Sequence, residues 1–234
     1  MDYYLPVRTL PEVRMFLGHF AFALAAKKAV PSVSLGTWCV AAQFLDILWP
    51  VFLLPGWERV AVVPGITLVT PMDFIHYPWS HSLSMAAVWA AGFAAVHFGL
   101  RRNFKAALLL AVVVLSHWFL DFLVHRPDLP IYPGGAKVGL GLWNNLPVTL
   151  ALELGMFAVG IFLYENSTRP LDKVGSRSLA LFAIVLLVTY MGNVFGPPPP
   201  AETSVIAGAG ISLWILFAWA FWFDRHRAQR LGAP

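Results

Sequence analysis

Several ionisable residues lie inside otherwise apolar stretches of this sequence. His117, Asp121 and His125 follow one another at intervals of four residues, so on a helix they share one face. Two imidazoles and a carboxylate on one stripe can bind a single divalent cation, and such sets are typical zinc ligands. For His125 a polar helix end is an equally good interpretation, because Arg126 and Pro127 follow it.

Other ionisable residues in apolar segments are His19, Asp46, His81 and Glu153. Such groups cost ~2.5–3.5 kcal/mol on membrane-insertion scales, so each is a candidate for function. At ~1.5 Å per residue, Asp46, His117 and Glu153 lie about 12 Å from the same ends of their helices, and the others are shallower. The common depth predicts one site. Its candidate metal ligands are His19, Asp46, His81, His117, Asp121 and His125, and its candidate catalytic bases are Asp46 and Glu153.

Two of these residues have structural alternatives. His19 also fits a hydrogen-bonded interior histidine. Glu153 also fits a partner for Asn144, Asn145 or a backbone group.

Four further polar residues lie outside the predicted centre. Asp73 and His76 are in a loop that leads into the third predicted span, where lining an entrance is one of their possible roles. His97 is near the opposite end of its segment and is interpreted as interfacial, and His226 is interpreted as part of a tail.

The composition defines the class of protein that must position these residues. Of 234 residues, 59% are hydrophobic and 12% are charged, and the mean hydropathy is +0.69. A soluble domain has roughly twice that charge. Disorder requires low hydrophobicity, and a disulfide scaffold requires more cysteines than Cys39 alone. The sequence therefore predicts an all-α, polytopic bundle of transmembrane helices.

Apolar runs of the required ~20 residues predict about seven spans in a single domain, 1–234. The residues of the metal site fall in about 13–135, and the remaining spans fall in about 146–223. The first segment is the weakest, and six spans remain if it only lies on the membrane. A signal peptide ending near Ala25 is an alternative, but the polar His19 favours a retained helix. The segments are 13–30, 33–54, 80–99, 104–125, 146–164, 178–195 and 204–223.

The distribution of Lys and Arg predicts the orientation. Eleven of the 16 fall on one side of the predicted spans, from Lys27 to Arg230. The other five Lys and Arg residues, which include Arg8 and Arg14, fall on the opposite side. The positive-inside rule then places the C-terminus in the cytoplasm and the 55–79 and 126–145 loops outside. A net charge of +4 is explained by this topology, so no nucleic-acid partner is expected.

Four motifs occur in a characteristic order. They are Gly18-His19, Phe44-Leu45-Asp46-Ile47-Leu48-Trp49-Pro50, Trp79-Ser80-His81-Ser82-Leu83, and Leu115-Ser116-His117 with Asp121. Over about residues 15–135 they resemble the membrane-bound metal-dependent hydrolases of the YdjM type, which are multi-pass proteins of the bacterial inner membrane. The resemblance implies a metal site at His19, Asp46, His81, His117 and Asp121. A second Asp and a His of that family fall on Leu48 and Trp49 here, so either His125 replaces them or a second metal is absent.

The resulting functional hypothesis is a metalloenzyme with a divalent transition metal, Zn²⁺ being the expected ion. Water activated by the metal would attack an ester or phosphoester of an amphiphilic or membrane-soluble substrate at the outer side. His81, His117 and Asp121 are the expected ligands, and Asp46 is a ligand or general base. His19 or His125 would be a further metal ligand or would orient one, and Glu153 would be the alternative general base.

Two alternatives use the same residues. A proton or metal-ion transporter would also contain buried Asp, Glu and His. It would need polar residues in the inner halves of the helices, where His97 and Asn193 are nearly alone. Haem ligation by two histidines is disfavoured by Asp46 and Asp121.

Overall fold

The computed structural model describes residues 16–230. Arg8, Arg14 and the start of the predicted first segment lie outside these residues. The described chain is mostly helical, as predicted. Its helices are α1 Leu17–Ala29, α2 Leu35–Ala42, α3 Phe44–Leu53, α4 Pro78–His81, α5 Leu83–Arg101, α6 Phe104–Val124, α7 Leu146–Ser167, α8 Lys173–Phe195, α9 Thr203–Ile211 and α10 Leu213–Asp224, with a 3₁₀ turn at Leu142–Asn144.

Five helical segments are long and apolar enough to cross a membrane: α5, α6, α7, α8, and α9 with α10 together. The predicted span 33–54 is divided into α2 and α3, which meet at Gln43 with a bend of 54° and together form a possible sixth crossing. The described part of the predicted first span, α1, has 13 residues. At ~1.5 Å per residue it extends only about 20 Å, less than the ~30 Å of bilayer hydrocarbon. Seven spans are therefore not confirmed.

The short helix α1 lies in the middle of the bundle, against α7, α2 and α6. Its contact with α7 is close at Gly160, where an added Cβ atom would lie 2.7 Å from the Cα atom of Ala21. Since α2 also packs against α10 and α3 against α9, the two predicted halves of the chain pack together.

A buried ion pair fixes the C-terminal end of α1. The Lys27 ammonium group lies 2.7 Å from Asp224 on α10 and donates a hydrogen bond to the Val33 carbonyl. The second oxygen of Asp224 accepts a hydrogen bond from the Tyr164 hydroxyl at 2.7 Å. This network joins α1, α7 and α10 at the end of the bundle opposite the two long loops.

Three short two-stranded antiparallel sheets were not anticipated by the all-α prediction. They are β1 Arg59–Val62 with β2 Met72–His76, β3 Leu129–Pro130 with β4 Lys137–Val138, and β5 Thr168–Pro170 with β6 Arg227–Gln229. The first two lie together, because Lys137 donates a hydrogen bond to the Ile75 carbonyl and Arg126 pairs with Asp73. The third lies at the other end, where His226 pairs with Asp172 at 2.7 Å. His226 thus belongs to an ordered sheet region and is not a free tail.

Candidate metal centre

Four helices bring five of the predicted site residues together. His19 comes from α1, Asp46 from α3, His81 from the last position of α4, and His117 and Asp121 from α6. These residues form two overlapping groups in which the ligand atoms lie within 4.8 Å of one another: His19, His117 and Asp121, and Asp46, His81 and His117. The arrangement could hold a metal ion.

The distances within the cluster suit tetrahedral coordination. His117 Nε2 and His19 Nε2 each lie 3.3 Å from an oxygen of Asp121. His81 Nε2 lies 3.5 Å from Asp46 and 3.7 Å from Asp121, and His117 Nε2 lies 3.9 Å from Asp46. Bonds of ~2.1 Å to a tetrahedral zinc ion place ligand atoms about 3.4 Å apart. The spacings of His81 and His117 from the two carboxylates, 3.3–3.9 Å, are wider than good hydrogen bonds and close to that value.

The orientation of His117 is set by the break between α2 and α3. A helix end leaves backbone carbonyls without intrahelical partners. The Ala42 carbonyl, at the end of α2, accepts a hydrogen bond from His117 Nδ1 at 2.8 Å. This bond leaves the Nε2 lone pair for the cluster. Within residues 16–230 the buried Nε2 atom has no hydrogen-bond partner, which is the state expected of a metal ligand.

The orientation of His81 depends on Glu58, which the sequence analysis missed. One Glu58 oxygen accepts hydrogen bonds from the backbone N–H groups of Trp79 and Ser80, at 2.8 and 2.7 Å, at the start of α4. The other accepts the Ser80 hydroxyl at 2.7 Å, and Ser80 Oγ lies 2.7 Å from His81 Nδ1. This chain keeps the proton on Nδ1 and directs the Nε2 lone pair at the carboxylates. Burial raises the pKa of Glu58 above its usual value.

His125 does not join either group of ligand atoms. Helix α6 ends at Val124, so His125 is in extended backbone and the predicted stripe stops at Asp121. Its Nδ1 atom lies 2.9 Å from Asp128, which also accepts a hydrogen bond from the Tyr77 hydroxyl. The helix-end interpretation of His125 is the one that the geometry matches.

Glu153 is also outside both groups. Its carboxylate accepts hydrogen bonds from the backbone N–H groups of Phe16, at 3.1 Å, and Gly18, at 2.8 Å. An anion at this position is favourable because unpaired N–H groups and the helix dipole converge at the start of α1. Glu153 therefore has the backbone partners that the sequence offered as one alternative for it.

The residues expected at an entrance form other contacts. Asp73 pairs with Arg126. His76 lies opposite Arg59 in the β1–β2 ladder. The open side of the cluster is instead at Asp46, whose side chain is 28% exposed.

Two cavities border the cluster at Asp46 and Trp49. The smaller, about 20 Å³, is also lined by His81, Asp121 and His125. The larger, about 460 Å³, extends between α3, α8, α9 and α10 and is also lined by Asn193. Asn193 was assigned to an inner half of the bundle from the sequence, and this cavity corrects that assignment. Both cavities reach the cluster at Asp46, its most exposed side chain.

No family model, curated protein or solved structure matches this chain. The resemblance to the YdjM-type hydrolases consequently rests on the four sequence motifs.

Proposed function

We propose that this protein is an integral-membrane, metal-dependent hydrolase that binds one divalent ion, expected to be Zn²⁺. Its substrate would be an ester or phosphoester of an amphiphilic or membrane-soluble molecule. The observation that carries the proposal is the buried cluster of three imidazoles and two carboxylates beside a cavity of about 460 Å³. One ion is proposed because both groups of ligand atoms share His117, which has only one free ring nitrogen.

The residues divide into ligands and supporting groups. His81, His117 and Asp121 would hold the ion, with Glu58 and Ser80 orienting His81, so that the ion stays accessible to water. A bound zinc ion lowers the pKa of water to about 7, so that hydroxide is available near neutral pH. In ester hydrolysis the oxygen of water bonds to the acyl carbon, the carbon–oxygen bond to the alcohol breaks, and the alcohol leaves with a proton. Asp46 would accept or deliver that proton, and its side chain, the most exposed of the cluster at 28%, supports this role.

The proposed location is the inner membrane of a bacterium, with the C-terminus in the cytoplasm and the site toward the periplasm. The bias of Lys and Arg supports this orientation. So does the pairing of β5 with β6 on the basic side, away from the two long loops.

Elemental analysis and a hydrolysis assay test the proposal. Purified protein is expected to contain about one transition-metal ion per chain and to hydrolyse alkyl esters or phosphoesters in detergent. Asp121→Asn should lose metal and activity together, whereas His226→Asn, at the other end of the bundle, should retain both. A metal-free wild type that regains no ion on incubation with Zn²⁺ would overturn the proposal.

One observation favours the alternative of proton or metal-ion transport. Transporters often have discontinuous helices at their binding sites, and α2 and α3 break next to His117. A transporter would also need polar residues between the cluster and the other end of the bundle. Asn193 does not extend such a path, because it lines the same cavity as Asp46. Ion flux in proteoliposomes that persists after metal removal would favour transport over hydrolysis.

A further inference from the structure

The cavity of about 460 Å³ leads from the candidate metal centre toward the outside of the bundle. Its inner end is formed by Asp46 and Trp49, which also border the small cavity at the cluster. Its wall includes Val205 on α9 and Ile215 on α10, which are 46% and 71% exposed. Exposed aliphatic side chains on membrane-spanning helices face lipid. The cavity therefore extends from the candidate metal centre to a surface of α9 and α10 that would face lipid.

The wall has a polar strip within an otherwise mostly apolar lining. Thr189 and Asn193 are four residues apart on α8, so they lie on the same face. A hydroxyl and an amide can both donate and accept hydrogen bonds. Of the described residues that line the cavity, Asp46 alone is charged. The strip therefore suits an uncharged polar group near the reacting centre.

The volume limits the size of the occupant. A volume of about 460 Å³ lies within the ~300–1,000 Å³ of pockets that hold ligands of drug size. One medium-length chain with a small head group is a ligand of that size. A lipid with two long chains is larger.

The charge of the cluster limits the reactive group. A bound divalent ion requires its imidazole ligands to be neutral, and its charge then offsets that of the two carboxylates. The loaded centre would then offer no net positive charge to a phosphate dianion. A neutral carboxylic ester does not need a positively charged centre in order to bind.

We infer that this cavity binds a single-chain amphiphile with an uncharged ester group, which enters from the lipid between α8 and α9. The chain lies along the apolar wall, and the polar group binds Thr189 and Asn193 beside Asp46. The identity of the ester as the cleaved bond rests on the proposed function, but binding of the chain does not.

The glycines of this chain provide a matched test. Gly192 lines the cavity, and a Cβ atom added there meets no atom within 4 Å, so Gly192→Leu would fill the cavity without a clash of its first atom. Gly155 on α7 is equally open but is not part of the cavity wall, so Gly155→Leu is the control. The probe is a photoreactive monoester with a chain of about 12 carbons, a medium-length chain of the size that the cavity can hold.

Labelling is measured on metal-free protein in detergent, and the labelled peptides are mapped by mass spectrometry. Wild type and Gly155→Leu should be labelled on α8 and α9, and Gly192→Leu should be labelled about tenfold less at limiting probe, as for a loss of about 1.4 kcal/mol in binding. Equal labelling of the two variants would overturn the inference. Preferential labelling by a two-chain phospholipid probe or an alkyl phosphate probe would also overturn it.

The two proposals fail separately in these measurements. Chain binding that depends on Gly192, in a protein that binds no metal, would support the cavity and overturn the hydrolase. Metal-dependent ester hydrolysis that is unchanged in Gly192→Leu would support the hydrolase and overturn the cavity.

Discussion

The imidazole rings of His19 and His117 are stacked, with centroids 3.7 Å apart and planes at 3° to each other. The lone pair of an imidazole nitrogen lies in the plane of the ring. Two parallel rings in stacking contact therefore cannot both direct a lone pair at one ion. His117 belongs to both groups of ligand atoms, and its other nitrogen is fixed by Ala42. We therefore expect His117 to be a ligand and His19 to position Asp121 through its 3.3 Å contact.

Substitutions of the stacked pair should consequently differ in their effects. His117→Ala is expected to abolish stoichiometric metal binding. His19→Ala should retain about one ion per chain with an affinity reduced about 10- to 100-fold, the usual cost of losing a group that orients a ligand. Competition with a chelator, followed by elemental analysis, measures both values. Equal loss of metal in the two variants would show that His19 is itself a ligand.

The Glu58–Ser80–His81 chain predicts an effect of Ser80 on the metal without a direct contact. Ser80→Ala removes the hydroxyl between Glu58 and His81 but leaves both backbone hydrogen bonds to Glu58. The affinity for metal should fall about 10- to 100-fold because His81 is no longer held in one tautomer. The absorption spectrum of the Co²⁺-loaded protein should change with it.

Ser84→Ala is the control for this experiment. Ser84 is close in the sequence, but its hydroxyl contacts only Ser82 among the described residues, at 3.4 Å. Its metal affinity and Co²⁺ spectrum should match the wild type. If Ser80→Ala also matches the wild type, the chain only supports the start of α4.

Part of this centre could be predicted because charge is conspicuous in apolar sequence. His19, Asp46, His117 and Asp121 each interrupt a run of hydrophobic residues, and their common depth follows from helix geometry. The structure brings these four residues and His81 together. Periodicity along single segments was sufficient for this part.

The rest depends on contacts and backbone details that periodicity does not encode. The run 33–54 is mostly apolar and its one proline, Pro50, lies seven residues beyond Gln43, so its pattern does not predict that the helix breaks at Gln43 and frees the Ala42 carbonyl. Glu58 lies in a loop, and the start of α4 indicates only that some acceptor is needed for its N–H groups. His125 was placed on a face of α6 that ends one residue earlier.

Substitution of Glu153 distinguishes a structural role of this residue from a catalytic one. Glu153→Gln should destabilise the protein by about 1–3 kcal/mol, because it replaces one of the two oxygens that accept backbone N–H groups at the start of α1 with an amide that cannot accept. The metal content and the activity per folded molecule should remain close to wild type. Unfolding in mixed micelles and a hydrolysis assay on the same sample give the two values. A stable, metal-loaded but inactive variant would identify Glu153 as the catalytic base.

The last prediction concerns pH and Asp128, which joins the loop 126–145 to Tyr77 at the end of the other long loop. Burial alone would raise the pKa of Asp128, but the hydrogen bond with His125 and the guanidinium of Arg126 lower it below the usual 3.8. A lowered carboxyl pKa stabilises the folded state above the unfolded value and ceases to do so as the pH falls through the folded value. Asp128→Asn should therefore be less stable than wild type by about 1.5–3 kcal/mol at pH 5–7.

That difference should shrink as the pH falls below about 3.8, where the carboxyl group of the unfolded chain becomes protonated, and should go on shrinking down to the lower pKa of the folded state. Unfolding in mixed micelles at several pH values measures it. Asp172→Asn is the control, because its exposed carboxylate pairs with His226 at the other end of the bundle and should contribute little in water. A deficit of Asp128→Asn that is the same at pH 3 and pH 7 would mean that the hydrogen-bond geometry of Asp128, and not its charge, holds the two loops together.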